Sequence, residues 1–225
     1  MNSPSTNPSP ISDRSGVTDA VRVQILATEH WSLLATRGMT WNEIFSRATM
    51  FLTVLSGGVV ALALVAQATD FGPGFRLFAL LVLSVVLLVG LATYVRLSHA
   101  NTDDFGLVIG MNRLRRAYLE LAPELEPYFM TGHHDDEVSV MQSYGWGQHL
   151  SLSRILAGTP PLVGAINVVV AGVLAALVGD ALGATGETSV MVGIVAALAA
   201  AIMHSMMASR TIVSARQGYH PRFPK

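Results

Sequence analysis

The stretch TPPLVGAINVVVAGVLAALVG, Thr159 to Gly179, is apolar from end to end except for one amide, Asn167. About 20 predominantly apolar residues carry a helix across the roughly 30 Å hydrocarbon core of a bilayer. This run, extended back to Ile155, is long enough to span. Three others also lack Asp, Glu, Lys and Arg: Ala48 to Thr69, Leu77 to Val95 and Thr188 to Ser209. The pattern predicts an all-α integral membrane protein with four transmembrane helices.

Composition agrees. The 225-residue chain is 51% hydrophobic and only 13% charged, with a mean hydropathy of +0.48, outside the range of ordinary soluble domains. A soluble bundle with four all-apolar helices would need further amphipathic helices to cover them, and too little chain remains. Cysteine is absent, which excludes disulfides, thiolate catalysis, cysteine metal ligands and S-palmitoylation. Arginine far outnumbers lysine, and Ala, Val, Gly and Leu dominate, a composition typical of a GC-rich bacterial genome. The opening residues MNSPSTNPSPISDRSG have neither the apolar core nor the cleavage pattern of a secretory signal.

Arginine sets the orientation. Arg14, Arg22, Arg37 and Arg47 precede the first run; Arg96, Arg113, Arg115, Arg116 and Arg154 lie between the second and third; Arg210, Arg216, Arg222 and Lys225 follow the fourth. Only Arg76 lies in either of the other two connections. The positive-inside rule then places both termini and the long middle segment in the cytoplasm, beneath the bacterial inner membrane. The helices form two hairpins with outer turns at DFGPG (Asp70 to Gly74) and GDALGATGET (Gly179 to Thr188). The expected organisation is a disordered tail over 1–17, a cytoplasmic amphipathic helix over 18–39 and a first transmembrane hairpin over 40–97. A cytoplasmic helical segment with an acidic, histidine-bearing loop follows over 98–154, then a second hairpin over 155–210 and a cytoplasmic tail over 211–225. GVVAL (Gly58 to Leu62) and GVLAA (Gly172 to Ala176) hint at two parallel repeats.

In the cytoplasmic parts, Gly38 is expected to stop one helix and TWNE (Thr40 to Glu43) to open the next through a capping box. Trp31 and Trp41 then lie near the headgroups, and Trp146 in an interfacial segment before Thr159. Asn101 or Thr102 is a cap for a helix with a Leu107, Met111, Leu114, Tyr118, Leu121 stripe, ended by Pro123. Thr159 is expected as N-cap of the third span, with Pro160 at its first position. His133, His134, Asp135, Asp136 and Glu137, in GHHDDE, are the only metal-ligand types in a cluster. Consecutive residues seldom close a coordination site, so the segment reads as a solvated, pH-responsive acidic loop.

The buried amide has a partner by arithmetic. At 1.5 Å per residue Asn167 lies about 10 Å below Pro160, and His204 about 9 Å from the Arg210 end of the antiparallel fourth helix. Thr53, Ser56 and Thr93 fall at a similar depth, with Gly90, so the five side chains are expected to form one polar layer. Such a layer either glues helices or lines an ion path. Gly193, Ala197, Ala201 and Ser205 recur every four residues and mark a close helix contact.

EHWSLLATRGMTWNE (Glu29 to Glu43), GMNRLRRAYLELAPELEPYF (Gly110 to Phe129) and GHHDDE resemble a group of bacterial four-span membrane proteins, mostly from GC-rich genomes. That resemblance implies topology and brings no established activity. A fainter likeness is to the paired-span membrane effector domains of bacterial defence systems. With no Walker-type loop, dinucleotide fingerprint or nucleophile elbow, neither catalysis nor a cofactor is expected. A net charge of -1 speaks against nucleic acid. The leading expectation is a homo-oligomeric scaffold or effector in the lipid bilayer with a cytoplasmic protein partner. The second is an oligomeric ion channel or transporter using the polar layer, and the third a metal-dependent protein using His133 to Glu137.

Overall fold

A computed structural model describes residues 17–144, 158–217 and 219–225. Residues 1–16 of the N-terminal tail, the interfacial segment around Trp146 and the start of the third run at Ile155 lie outside the described residues. The described chain is helical, with α1 over Asp19–Thr69, α2 over Pro73–Leu121, a 3-10 turn over Pro123–Tyr128, α3 over Glu137–Ser143, α4 over Thr159–Ala181 and α5 over Gly186–Gln217. No strand occurs among the described residues. Four helices, α1, α2, α4 and α5, are long and apolar enough to cross a membrane.

Two starts and one stop expected from the sequence are absent. α1 passes through Gly38 and Thr40 without a break. A glycine weakens a helix by about 1 kcal/mol relative to alanine, but it ends one only where the backbone turns left-handed, and Gly38 stays helical. The Glu43 carboxylate accepts from Arg96 Nε and NH2 at 2.9 and 2.7 Å and from Arg47 Nε at 2.8 Å. These bonds, first from Arg96 and then from Arg47, hold its pKa down at about 2. Asn101 and Thr102 likewise sit inside α2, and the Thr102 hydroxyl donates back to Ser98 O. A capping residue marks a start only where the preceding chain has left the helix. α2 stops at Leu121 because Ala122, at φ -145° and ψ 77°, leaves the helical region before Pro123. At α4, Gly158 occupies the N-cap and Thr159 is the first helical residue, one position away from expectation.

At 51 and 49 residues, α1 and α2 are about 75 Å long, more than twice the hydrocarbon thickness. The chain divides into two compact units, to both of which α1 and α2 contribute. Of the described residues, one, the polar unit, contains 17–39, 103–144 and 220–225; the other, the apolar unit, contains 40–102, 158–217 and 219.

In the apolar unit, Phe51, Val86, Leu97, Val163 and Val170 form the centre of the core. α4 and α5 approach closely at glycine. A Cβ on Gly172 would stand 3.1 Å from Gly193 O and from Ala197 Cβ, and one on Gly193 would meet Gly172 O at 2.8 Å. Ala197 lies on this contact, but Ser205 is exposed and bonds Ala201 O of its own helix. A step of four residues turns about 40° beyond a full circle, so the Gly193, Ala197, Ala201, Ser205 row winds off the contact face. Alternating steps of three and four keep to it and reach His204 instead.

The polar unit is built differently. Its buried line on α2 runs Asp104, Val108, Met111, Asn112 and Leu119. Of the expected stripe only Met111 is buried, while Leu107, Leu114, Tyr118 and Leu121 are half-buried. On α1, Val21, Ile25, Trp31 and Leu34 are exposed, so the apolar residues there do not make one covered face.

Candidate functional site

Within the apolar unit, Asn167 is 0% and His204 6% exposed. His204 Nδ1 lies 2.7 Å from Ala200 O, a carbonyl that can only accept, so Nδ1 carries the hydrogen. In the neutral ring Nε2 is then an acceptor, and Asn167 Nδ2 donates to it over a long 3.5 Å. Tyr94 closes the other side. Its ring meets the imidazole edge-on at 4.4 Å between centroids, and its hydroxyl donates to His204 O at 2.9 Å. Gly164 leaves space for the Tyr94 ring, where an added Cβ would stand 3.1 Å away. Gly90 faces Asn167 so closely that a Cβ there would overlap Oδ1. That oxygen is buried and has no hydrogen-bond partner among the described residues.

The five expected members of the layer are not all brought together. Thr93 is buried in α2, next in sequence to Tyr94. Thr53 and Ser56 point outward from α1, and the Thr53 hydroxyl bonds Thr49 O of its own turn. Depth along a helix follows from residue number, but direction does not. Phe51, Ala48 and Ile44 face the core, and positions two and five residues beyond Phe51 fall on the opposite side at 100° per residue. Tyr94 was missed, although a tyrosine in an apolar run needs a partner for its hydroxyl.

Within the polar unit, two buried carboxylates organise the structure. Asp104 is 2% exposed; it accepts from Arg37 Nε at 2.7 Å and NH2 at 3.3 Å, and from the Tyr144 hydroxyl at 2.6 Å. The Arg37 guanidinium also lies over the Tyr144 ring, 5.5 Å from its centroid. Burial, and then the bond to Asp104, push the Tyr144 pKa well above the ordinary phenol value.

The second is Asp135, 0% exposed, which corrects the reading of GHHDDE as a solvated loop. Arg113 Nε donates to its Oδ2 at 2.8 Å, as does Arg222 N, and Phe223 N donates to Oδ1 at 2.8 Å. Asp136 caps α3 by accepting Ser139 N at 2.9 Å. Asn112, also wholly buried, donates to His134 O and accepts from Arg115 NH1 and the Ser143 hydroxyl. His133 and His134 are half-buried with rings 4.4 Å apart, and Glu137 is exposed. Among the described residues no three His, Asp or Glu side chains are grouped to hold a metal ion. The Asp135 and Asp136 carboxylates are used instead by main-chain amides and, for Asp135, by Arg113.

These contacts set an acid dependence. Burial alone would raise the Asp135 carboxyl, but Arg222 N, Arg113 and Phe223 N outweigh it and hold the pKa below the usual range; Asp136 is lowered likewise by Ser139 N and Lys225 N against burial. A lowered folded-state pKa gives a contribution that is complete above the unfolded value, about 3.9, and lost as pH falls through the folded value. Burial, and then His134, lower His133, so its contribution begins to fall earlier, near its ordinary value of about 6.5. Thermal unfolding of the polar unit is therefore expected to weaken slightly below about pH 6.5 and steeply below about pH 4. Stability that rises on acidification from pH 7 to 5 would contradict this sign.

Comparison with family models, curated proteins and solved structures finds no match for this chain.

Proposed function

We propose that this is a non-enzymatic, multi-pass protein of the bacterial inner membrane, a homo-oligomeric scaffold or effector whose working part is the polar unit on the cytoplasmic side. The observation that carries the reading is the make-up of that unit. Buried Asp104, Asn112 and Asp135 stitch it into a defined structure rather than a loop joining two spans. Thirteen of the fourteen basic residues fall in the parts assigned to the cytoplasm. The Arg76–Asp180 ion pair, 3.2 Å, joins the first turn of α2 to the last turn of α4 and supports two hairpins with their turns on one side.

Self-association is supported by α1. Thr53, Ser56, Gly57, Val60, Ala61 and Leu64 line an open groove along it, and only 11% of its apolar window is buried within the chain. Small residues at spacings of four admit a second helix closely. A role for Asn167 and His204 in packing rather than conduction fits their enclosure by Tyr94 and Gly90, with the interhelical bond worth about 0.6 kcal/mol.

Conduction is the second reading and rests on Asn167 Oδ1, a buried acceptor of the kind an internal water satisfies. Flux assays on purified protein in liposomes separate the two. The scaffold reading expects no cation, anion or proton flux above empty liposomes at any voltage. Flux that Asn167→Leu or His204→Leu alters makes the channel the correct reading. Because the chain lacks cysteine, Gly57→Cys offers a unique cross-linking site. It is expected to give disulfide-linked dimers in membranes, whereas Leu88→Cys, on another exposed face, gives few. Equal yields would remove the α1 interface from the proposal.

A further inference from the structure

The segment His220–Lys225, HPRFPK, meets the rest of the polar unit through main-chain hydrogen bonds. Arg222 N and Phe223 N donate to the two oxygens of Asp135, both at 2.8 Å. Phe223 O accepts from Asp135 N at 3.3 Å and lies 3.3 Å from His134 Nδ1. Lys225 N donates to Asp136 Oδ2 at 3.0 Å. The side chains of Arg222 and Lys225 are exposed. The segment bends at Arg222 and Phe223, which turns their two successive amides towards the same carboxylate.

Both partners are shaped for this. Proline fixes its own φ, so Pro221 and Pro224 restrict the backbone on either side of the bend at Arg222 and Phe223. A preorganised ligand loses less entropy on binding. On the receptor side, Arg113 orients Asp135 and Asn112 fixes His134 O. Gly132 packs against Ser139 O so tightly that no Cβ fits, which pins the loop to α3. A wholly buried carboxylate is thereby aimed at two successive amides of a segment nearly ninety residues away.

We propose that Gly132–Asp136, braced by Asn112 and Arg113, is a receptor for a proline-flanked peptide main chain bent so that two successive amides face one carboxylate, and that His220–Lys225 is its resident, displaceable ligand. A peptide from another protein must then present two consecutive free amides to Asp135 and compete with the tethered segment. Tethering gives that segment an effective concentration on the order of millimolar, so the intact chain resists such competition.

The test uses the full chain carrying Lys225→Cys, a unique site for a spin label that keeps the main-chain amide. The label is expected to be immobilised, with a line shape unchanged on tenfold dilution in detergent. Adding Phe223→Pro or Arg222→Pro removes one donor each and leaves the receptor intact; each is expected to free the label. Fluorescein-labelled HPRFPK amide is then expected to bind the proline variants saturably, and at least tenfold more tightly than it binds the parent chain. A label that stays immobilised in both proline variants overturns the assignment. So does a freed label with no difference in peptide binding between parent and variants. Mobility that appears on dilution of the parent overturns the own-chain ligand.

Discussion

Asp104→Ala is expected to destabilise the polar unit by about 3–5 kcal/mol, the usual cost of leaving a buried ionic partner uncompensated. Two side chains donate to that carboxylate: Arg37, through two nitrogens, and Tyr144, through its hydroxyl. Its removal strands the Arg37 guanidinium, only 25% exposed, beneath an aromatic ring. It also leaves the Tyr144 hydroxyl without its acceptor. The measurement is amide exchange over residues 19–39 and 105–121, which is expected to rise together in Asp104→Ala. Exchange over the α4 and α5 windows should stay near that of the parent. The combined change Arg37→Met, Asp104→Leu and Tyr144→Phe is expected to recover most of the loss, because an apolar replacement leaves no charge to desolvate. A single Asp104→Ala within 1 kcal/mol of the parent would mean that the cluster contributes no more than a surface pair.

Gly90→Ala should be among the most damaging small substitutions in the apolar unit. Its Cβ would overlap Asn167 Oδ1 and stand 2.8 Å from Phe51 Cε2. Both neighbours are fully buried, with nowhere to retreat. Overpacking of this kind costs about 1–3 kcal/mol, and Gly90→Leu more. Gly57→Ala supplies the contrast, since nothing lies within 4 Å of a Cβ there and the residue is also mid-helix. It is expected to be neutral to stabilising by about 0.4–1 kcal/mol. Unfolding in mixed micelles, followed by circular dichroism, reads both. If Gly90→Ala matches Gly57→Ala, the close approach of α2 to Asn167 is not part of the native packing.

The apolar helices could be read from the sequence because crossing a bilayer demands length and composition, both visible in one chain. The Asn167 and His204 depths were likewise open to arithmetic, since helix rise is fixed. Rotation about the axis does not follow from that arithmetic, so depth alone cannot show that Thr53 and Ser56 are exposed on α1 while Asn167 and His204 are buried. Caps misled for a related reason. Thr40, Asn101 and Thr102 suit a helix start chemically, yet without an adjacent breaker the helices pass straight through them. Asp135 was hardest to read, since its burial depends on Arg113 and on amides 87 and 88 residues distant. Neighbouring sequence shows only an acidic run, and nothing in it marks the acceptor of a remote peptide.

The distance between Asp135 and Phe223 also bears on how the protein is made. Ribosomes add about 5–20 residues per second, so a gap of 88 residues corresponds to roughly 4–18 s of synthesis. Through that interval Arg113 has been synthesised, whereas the amides that complete the bonds of Asp135 have not. α4 and α5 are both translated in the same interval, because they lie between the two halves of the contact. Closure of the polar unit around Asp135 therefore cannot precede the synthesis of α5.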